Sequence, residues 1–261
     1  MKAWPDSAPR IRQLQRDSLQ MTDGLPHLDG SLPPGEVHVW QADHDTDQAR
    51  FDAFSQLLST DEQERAQRFK VSHAHQQFVI SRGVLRIILG KYLAMAPAQI
   101  RLRTLDHGKP ELPGNHDLRF NLSHTDGMTA IALVKAHNIG VDVERIRTNL
   151  EPLELAERFF SSRETQWLRS QPRSDQFNAF FACWTAKEAY VKACGEGLSM
   201  PLANFTVAPH MSQGKVGFEI HGNPEESTRW SIFQLDLGEN FKSAVAVEAT
   251  GLRLRVGKFL K

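Results

Sequence analysis

Two spacings of apolar residues take turns along this chain. A period near two marks short strands, and a period of three to four marks helices. Residues 36–42, with Val37, Val39 and Trp40, predict a first strand. Residues 47–58 and 61–69 predict two helices, with Ser59, Thr60 and Asp61 as cap candidates at their junction. Ala74 to Met95 predicts a long helix whose stripe is Phe78, Leu85, Ile88, Leu89 and Tyr92. Residues 100–104 predict a strand, 107–111 a turn, and 118–122 a strand that ends in Asn121, Ser123, His124 and Thr125. Residues 128–134 and 139–144 predict a hairpin across 135–138. Residues 153–160 and 162–169 predict two short helices. A second long helix follows over 175–194, with Phe177, Phe180, Phe181, Trp184 and Val191 in its stripe and Gly195 as its left-handed cap. Residues 204–208, 215–221, 230–235 and 243–248 predict strands. Residues 252–261 alternate basic and apolar residues and receive no assignment.

One residue breaks the second long stripe. Glu188 stands where the period asks for an apolar side chain, and a carboxylate there needs a cation or donor. Lys192 follows one turn later as a candidate partner; the plain alternative is an ordinary surface pair four residues apart. Upstream, Ile139, Val141 and Val143 alternate with Gly140, Asp142 and Glu144. Asp142 and Glu144 then share one face about 7 Å apart, either on a solvated edge strand or around a cation. With Glu188, three carboxylates on two rigid elements suit one hard divalent ion. Mg²⁺ fits, since it keeps waters and takes further oxygens from a phosphate-bearing substrate. Arg82 and Arg86 lie beside the first long stripe, as snorkelling surface arginines or as a phosphate clamp. His124 follows Asn121 and Ser123 at a strand end, where polar groups can gather round an anion.

Composition narrows the classes. The 261 residues are enough for one large or two small domains. Lys plus Arg and Asp plus Glu are each 31, so there is no basic excess for a nucleic acid. Cys183 and Cys194 are too few for a disulfide framework. Residues 1–34 are polar and rich in Pro and Gly, an extension expected to lie loosely, and residues 1–20 lack the apolar core of a secretory leader. No apolar run approaches about 18 residues, so no membrane span and a cytoplasmic location are expected.

Six stretches stand in order: Gly108-Lys109-Pro110, Phe120-Asn121-Leu122-Ser123-His124, Gly140-Val141-Asp142-Val143-Glu144, Arg158-Phe159-Phe160-Ser161-Ser162-Arg163-Glu164, Trp184 to Lys192, and Gly197-Leu198. Together they resemble the 4′-phosphopantetheinyl transferases of the larger, surfactin-synthetase-activating type. The resemblance implies an α+β fold of two similar halves about a pseudo-twofold axis, each with a small, mostly antiparallel sheet and a long helix. The division it suggests is 35–125, 126–250 and a tail at 251–261, working as a monomer.

It implies a holo-[acyl-carrier-protein] synthase. Such an enzyme moves the phosphopantetheine arm of coenzyme A to a serine of an acyl or peptidyl carrier protein and releases adenosine 3′,5′-bisphosphate. Carried over residue by residue, Asp142, Glu144 and Glu188 would bind Mg²⁺, or Mn²⁺. Glu188, Lys192 and Asp142 would serve the chemistry. Arg82, Lys109, Pro110, Asn121, Ser123, His124, Lys187 and Lys192 would meet coenzyme A, and Arg158, Phe160 and Arg163 would meet the carrier. Two rival readings remain: a Mg²⁺-dependent phosphohydrolase of coenzyme A, and a non-catalytic coenzyme A binding protein.

Overall fold

The structure, a computed structural model, describes residues 30–105, 108–195, 197, 200–208 and 215–259. The loosely lying extension expected over 1–34 falls almost wholly outside the described residues; of its last five, Leu32 is packed into a core.

The first half opens with β1 (Glu36–Asp43), followed by helices α1 (Gln48–Leu57), α2 (Thr60–Gln67) and α3 (Ser72–Leu93). Asp47 caps α1 by accepting from Arg50 N. Ser59 and Glu62 form a reciprocal capping box on α2. A two-stranded ribbon, β2 (Arg103–Thr104) with β3 (Pro110–Glu111), precedes β4 (Leu118–Thr125) and β5 (Met128–Lys135). The second half holds β6 (Ile139–Arg145), α4 (Pro152–Phe159), α5 (Ser162–Ser170) and α6 (Gln176–Cys194). It continues with β7 (Phe205–Ala208), β8 (Lys215–Ile220), α7 (Pro224–Ser227), β9 (Ser231–Leu235) and β10 (Phe241–Val247). The last strand is β11 (Arg253–Lys258). Gly195 ends α6 at φ +78°, as its lack of a Cβ allows.

The α+β architecture stands, with one long helix to each sheet. Sheet one has the order β11-β1-β5-β4, and sheet two β6-β10-β9-β8-β7. Three cores hold it together. The first packs α3 on sheet one through Val84, Leu85, Ile88, Ile131 and Leu133. The second packs α6 on sheet two through Phe181, Ala186, Ile232 and Ala244. The third lies between the sheets, where Val39, Ala130 and Ala132 meet Val141, Val143 and Val245.

Several expectations change. β5 does not form a hairpin with β6; it pairs with β1 and β4, while β6 pairs with β10. From Met128 to Val134 every residue of β5 is buried, which suits a central strand with cores on both faces. The division at residue 125 therefore cuts the β4–β5 hairpin. β4 runs on to Thr125, so Ser123 and His124 lie inside a strand rather than past its end. The strand expected over 100–104 shrinks to two residues, because Ile100 closes a 3-10 turn. The unassigned tail supplies β11, parallel to β1.

Candidate active site

The site forms where β4 and β6 run side by side without a backbone ladder. Three side chains on one face of β4 take the place of a strand. Asn121 Oδ1 accepts from Val141 N at 2.8 Å, Ser123 Oγ from Val143 N at 3.4 Å, and Thr125 Oγ1 from Arg145 N at 3.2 Å. This stitches the two sheets in fixed register. β6 also lies hard against α6. A Cβ on Gly140 would come within 2.1 Å of Ala189 O and 2.4 Å of Ala193 N, so only glycine allows the approach.

That approach joins Asp142 on β6 to Lys192 on α6. Lys192 Nζ donates to Asp142 Oδ1 at 2.6 Å and to Ser123 Oγ at 2.9 Å. Ser123 in turn donates to Asp142 Oδ1 at 3.0 Å. Asp142 Oδ2 is buried and has no hydrogen-bond partner. Glu188 and Glu144 are half-buried nearby. Both carboxyls hold protons more tightly than usual, first through burial and then through the negative charge of Asp142. Lys192 meets Asp142 rather than the Glu188 partner that a four-residue spacing suggested.

A cleft of about 470 Å³ opens in front of this group, between α2, α3 and β4 of one half and α6 of the other. Arg82, Lys109, Pro110, Asn121, His124, Glu188 and Lys192 all line it. So do Arg65, Ser81, Phe78, Leu122 and Val191, none of which was named as a site residue from sequence. Arg65 and Arg82 flank the Phe78 ring, each guanidinium carbon about 5.5 Å or less from its centre. Lys109 Nζ donates to Lys192 O at 2.7 Å, at the negative end of α6, and burial lowers its proton affinity. His124 faces the cleft, and its pKa is lowered by desolvation and then by Lys192, Arg82 and Arg65.

Three sequence-based expectations are corrected. Lys187, taken as a coenzyme A contact, is 0% exposed and outside the cleft. Its Nζ meets Glu164 at 2.9 Å and the carbonyls of Leu202 and Phe205 at 2.7 Å. Phe160, taken as a docking residue, is buried and stacks on Phe180; Arg158 and Arg163 are exposed, with Arg163 on Glu219 at 3.0 Å. Arg86 is neither a surface arginine nor a clamp: it bonds Glu62, Pro97 O and Ile100 O inside the first half. Among the described residues no group of three or more His, Cys, Asp or Glu is gathered into a ready-made metal cluster.

Among the described residues no helix is long and apolar enough to cross a membrane. The model of the 4′-phosphopantetheinyl transferase superfamily matches residues 138–246. That of the 4′-phosphopantetheinyl transferase N-terminal part matches residues 40–136. The chain is 34% identical over 224 residues to the 4′-phosphopantetheinyl transferase HetI of Nostoc sp., covering 85% of this chain and 91% of that one. It is 29% identical to Sfp of Bacillus subtilis, covering 78% and 88%. The crystal structure of Thermotoga maritima holo-[acyl-carrier-protein] synthase overlaps 44% of this chain and 64% of that one, at 20% identity and a TM-score of 0.36, too partial to argue from. The two models meet at the seam between β5 and β6 and together take in every residue of the cleft's second wall up to Gly197. With a relative matched over nearly its whole length, this chain belongs to the 4′-phosphopantetheinyl transferase family of enzymes.

Proposed function

We propose that this chain transfers the 4′-phosphopantetheine arm of coenzyme A to a serine hydroxyl of an acyl or peptidyl carrier protein. It would act as a monomer in the cytoplasm. The observation that carries the reading is one cleft lined by a carboxylate, Glu188, four cations, Arg65, Arg82, Lys109 and Lys192, and the imidazole of His124. Coenzyme A brings matching negative charge on its pyrophosphate and 3′-phosphate.

The serine oxygen forms a bond to the phosphorus nearest the pantetheine. The bond from that phosphorus to the bridging oxygen breaks, and adenosine 3′,5′-bisphosphate leaves. Attacking and leaving oxygens lie roughly in line, so positioning and charge neutralisation do most of the work. Glu188, directly or through a water that it orients, takes the serine proton, a role that its raised proton affinity suits. Lys192, held by Asp142 and Ser123, offsets charge on the phosphoryl oxygens. Arg65, Arg82 and His124 hold the rest of the ligand.

Mg²⁺ or Mn²⁺ would be held by Asp142, Glu144 and Glu188. The orphaned Asp142 Oδ2 and the proton affinities of Glu144 and Glu188, both raised by burial and by Asp142, favour a cation there. When bound, the ion would add positive charge beside the pyrophosphate.

The test is the intact mass of an apo acyl carrier protein after incubation with this protein, coenzyme A and Mg²⁺. A gain of one phosphopantetheine arm, lost with a chelator, is expected. Free adenosine bisphosphate without a heavier carrier would replace this reading with a hydrolase.

A further inference from the structure

Behind the cleft wall made by α3 runs a chain of three side chains that the transfer chemistry does not use. Ser81 lines the cleft. Its Oγ lies 2.6 Å from Gln77 O and 2.9 Å from Thr129 Oγ1. Thr129 Oγ1 lies 2.8 Å from His44 Nε2. The three residues come from α3, from β5 and from the position just after β1, and all are buried. His44 Nδ1 is buried without a hydrogen-bond partner.

Their protons can be assigned one at a time. A carbonyl only accepts, so the single hydroxyl proton of Ser81 goes to Gln77 O. Ser81 Oγ then accepts from Thr129. Thr129 has spent its own proton and accepts from His44, which therefore carries its hydrogen on Nε2 and leaves Nδ1 bare. If Thr129 donated to His44 instead, the lone pairs of the Thr129 and Ser81 oxygens would face each other at 2.9 Å, and a buried N–H on His44 Nδ1 would be unpaired. Burial, and then the positive charges of His124 and His73, push the His44 pKa down to about 4, against smaller opposing effects of Asp126 and Asp43. The ring stays neutral through the neutral range and keeps one donor.

We propose that this relay makes Ser81 a one-way hydrogen-bond donor to a phosphate oxygen in the cleft, with Thr129 and His44 as positioning residues that fix the direction of its proton. The inference rests on the reading of the cleft as a coenzyme A site and adds a determinant of ligand choice to it. On binding, the Ser81 hydroxyl turns from Gln77 O to the anion, and the carbonyl keeps its helical N–H partner. Thr129 still fills the acceptor side of Ser81. Each bond in the chain polarises the next, so the terminal hydroxyl becomes a stronger donor. Arg65 and Arg82 supply charge; the relay supplies direction, and it turns away ligand groups that can only donate.

The experiment measures calorimetric binding of coenzyme A and of inorganic pyrophosphate, together with ¹⁵N spectra of the histidine rings. Ser81→Ala is expected to weaken both ligands at least about ten-fold, the loss of one hydrogen bond to a charged group. Ser81→Thr keeps the hydroxyl and should restore binding. Thr129→Val should cost less than Ser81→Ala. His44 should show the Nε2–H form in the wild type at neutral pH. Unchanged affinity in a Ser81→Ala protein with a wild-type melting temperature overturns the proposal, as does an Nδ1–H ring. Pyrophosphate binding needs no carrier. A protein that fails to modify carriers but loses pyrophosphate affinity on Ser81→Ala therefore refutes the transferase reading and leaves the relay standing.

Discussion

At the scale of single residues the site is lopsided. One oxygen of Asp142 receives Lys192 and Ser123, and the other receives nothing. Glu188 nearby has its proton affinity raised by burial and by Asp142. A raised affinity makes the ionised carboxylate a stronger base toward serine. Glu188→Gln should accordingly abolish carrier modification while the circular dichroism spectrum stays native; near-normal turnover would remove Glu188 from the chemistry. Lys187 next to it behaves oppositely. Each helical residue turns about 100° from the last, which carries Lys187 to the far side of α6, onto Glu164. Lys187→Met would leave that buried carboxylate without its cation, a loss of about 3–5 kcal/mol to be read from denaturant melts. Lys187→Met with Glu164→Gln should recover part of it, and no recovery would mean that the pair is not the source.

At the scale of elements the seam of β4, β6 and α6 decides the geometry. Gly140→Ala should force β6 off α6, part Asp142 from Lys192 and cost about 1–3 kcal/mol or more. Carrier modification should fall further than stability alone explains. A fully active Gly140→Ala protein would show that the close approach is dispensable. Much of this scale was visible in the sequence. Both long helices and most strands follow from their periods, and Glu188 was conspicuous because it interrupts an apolar stripe. Partners were not visible, since a period of two tells a strand's face but not its neighbour. The link over residues 136–138, with Ala136 at φ +59°, sends the chain from one sheet to the other rather than back on itself. Arg65 gave no signal, because its place in the cleft depends on how α2 lies across α3. Phe160 carries the apolar character of a docking residue and of a core residue equally, and only the stack on Phe180 separates them.

At the scale of the molecule, two carboxyls raised above their ordinary value of 4.5 tie stability to pH. Glu144 and Glu188 bind protons more tightly in the folded chain than in the unfolded one. Stability is therefore lost as pH rises from about 4.5 through their folded values, and the loss is complete above them. The Glu188→Gln protein should melt higher than the wild type at neutral pH and lose that advantage toward pH 4. Mg²⁺ should narrow the gap at neutral pH by stabilising the wild type more. A gap independent of pH would mean that the raised proton affinity of Glu188 is not its cause.

The parallel pairing of β1 with β11 has a consequence for how the chain is made. Glu36 and Arg253 are register partners at opposite ends of the described sequence. On a ribosome β1 emerges well before β11, and its edge on that side stays bare until the intervening residues 44–252 have been synthesised. During that wait its Val37, Val39 and Trp40 can recruit a strand from another nascent chain. Closing so long a loop is also slow. Closure of that edge thus comes late among the described residues, and its yield in a cell depends on whatever shields β1 in the interval.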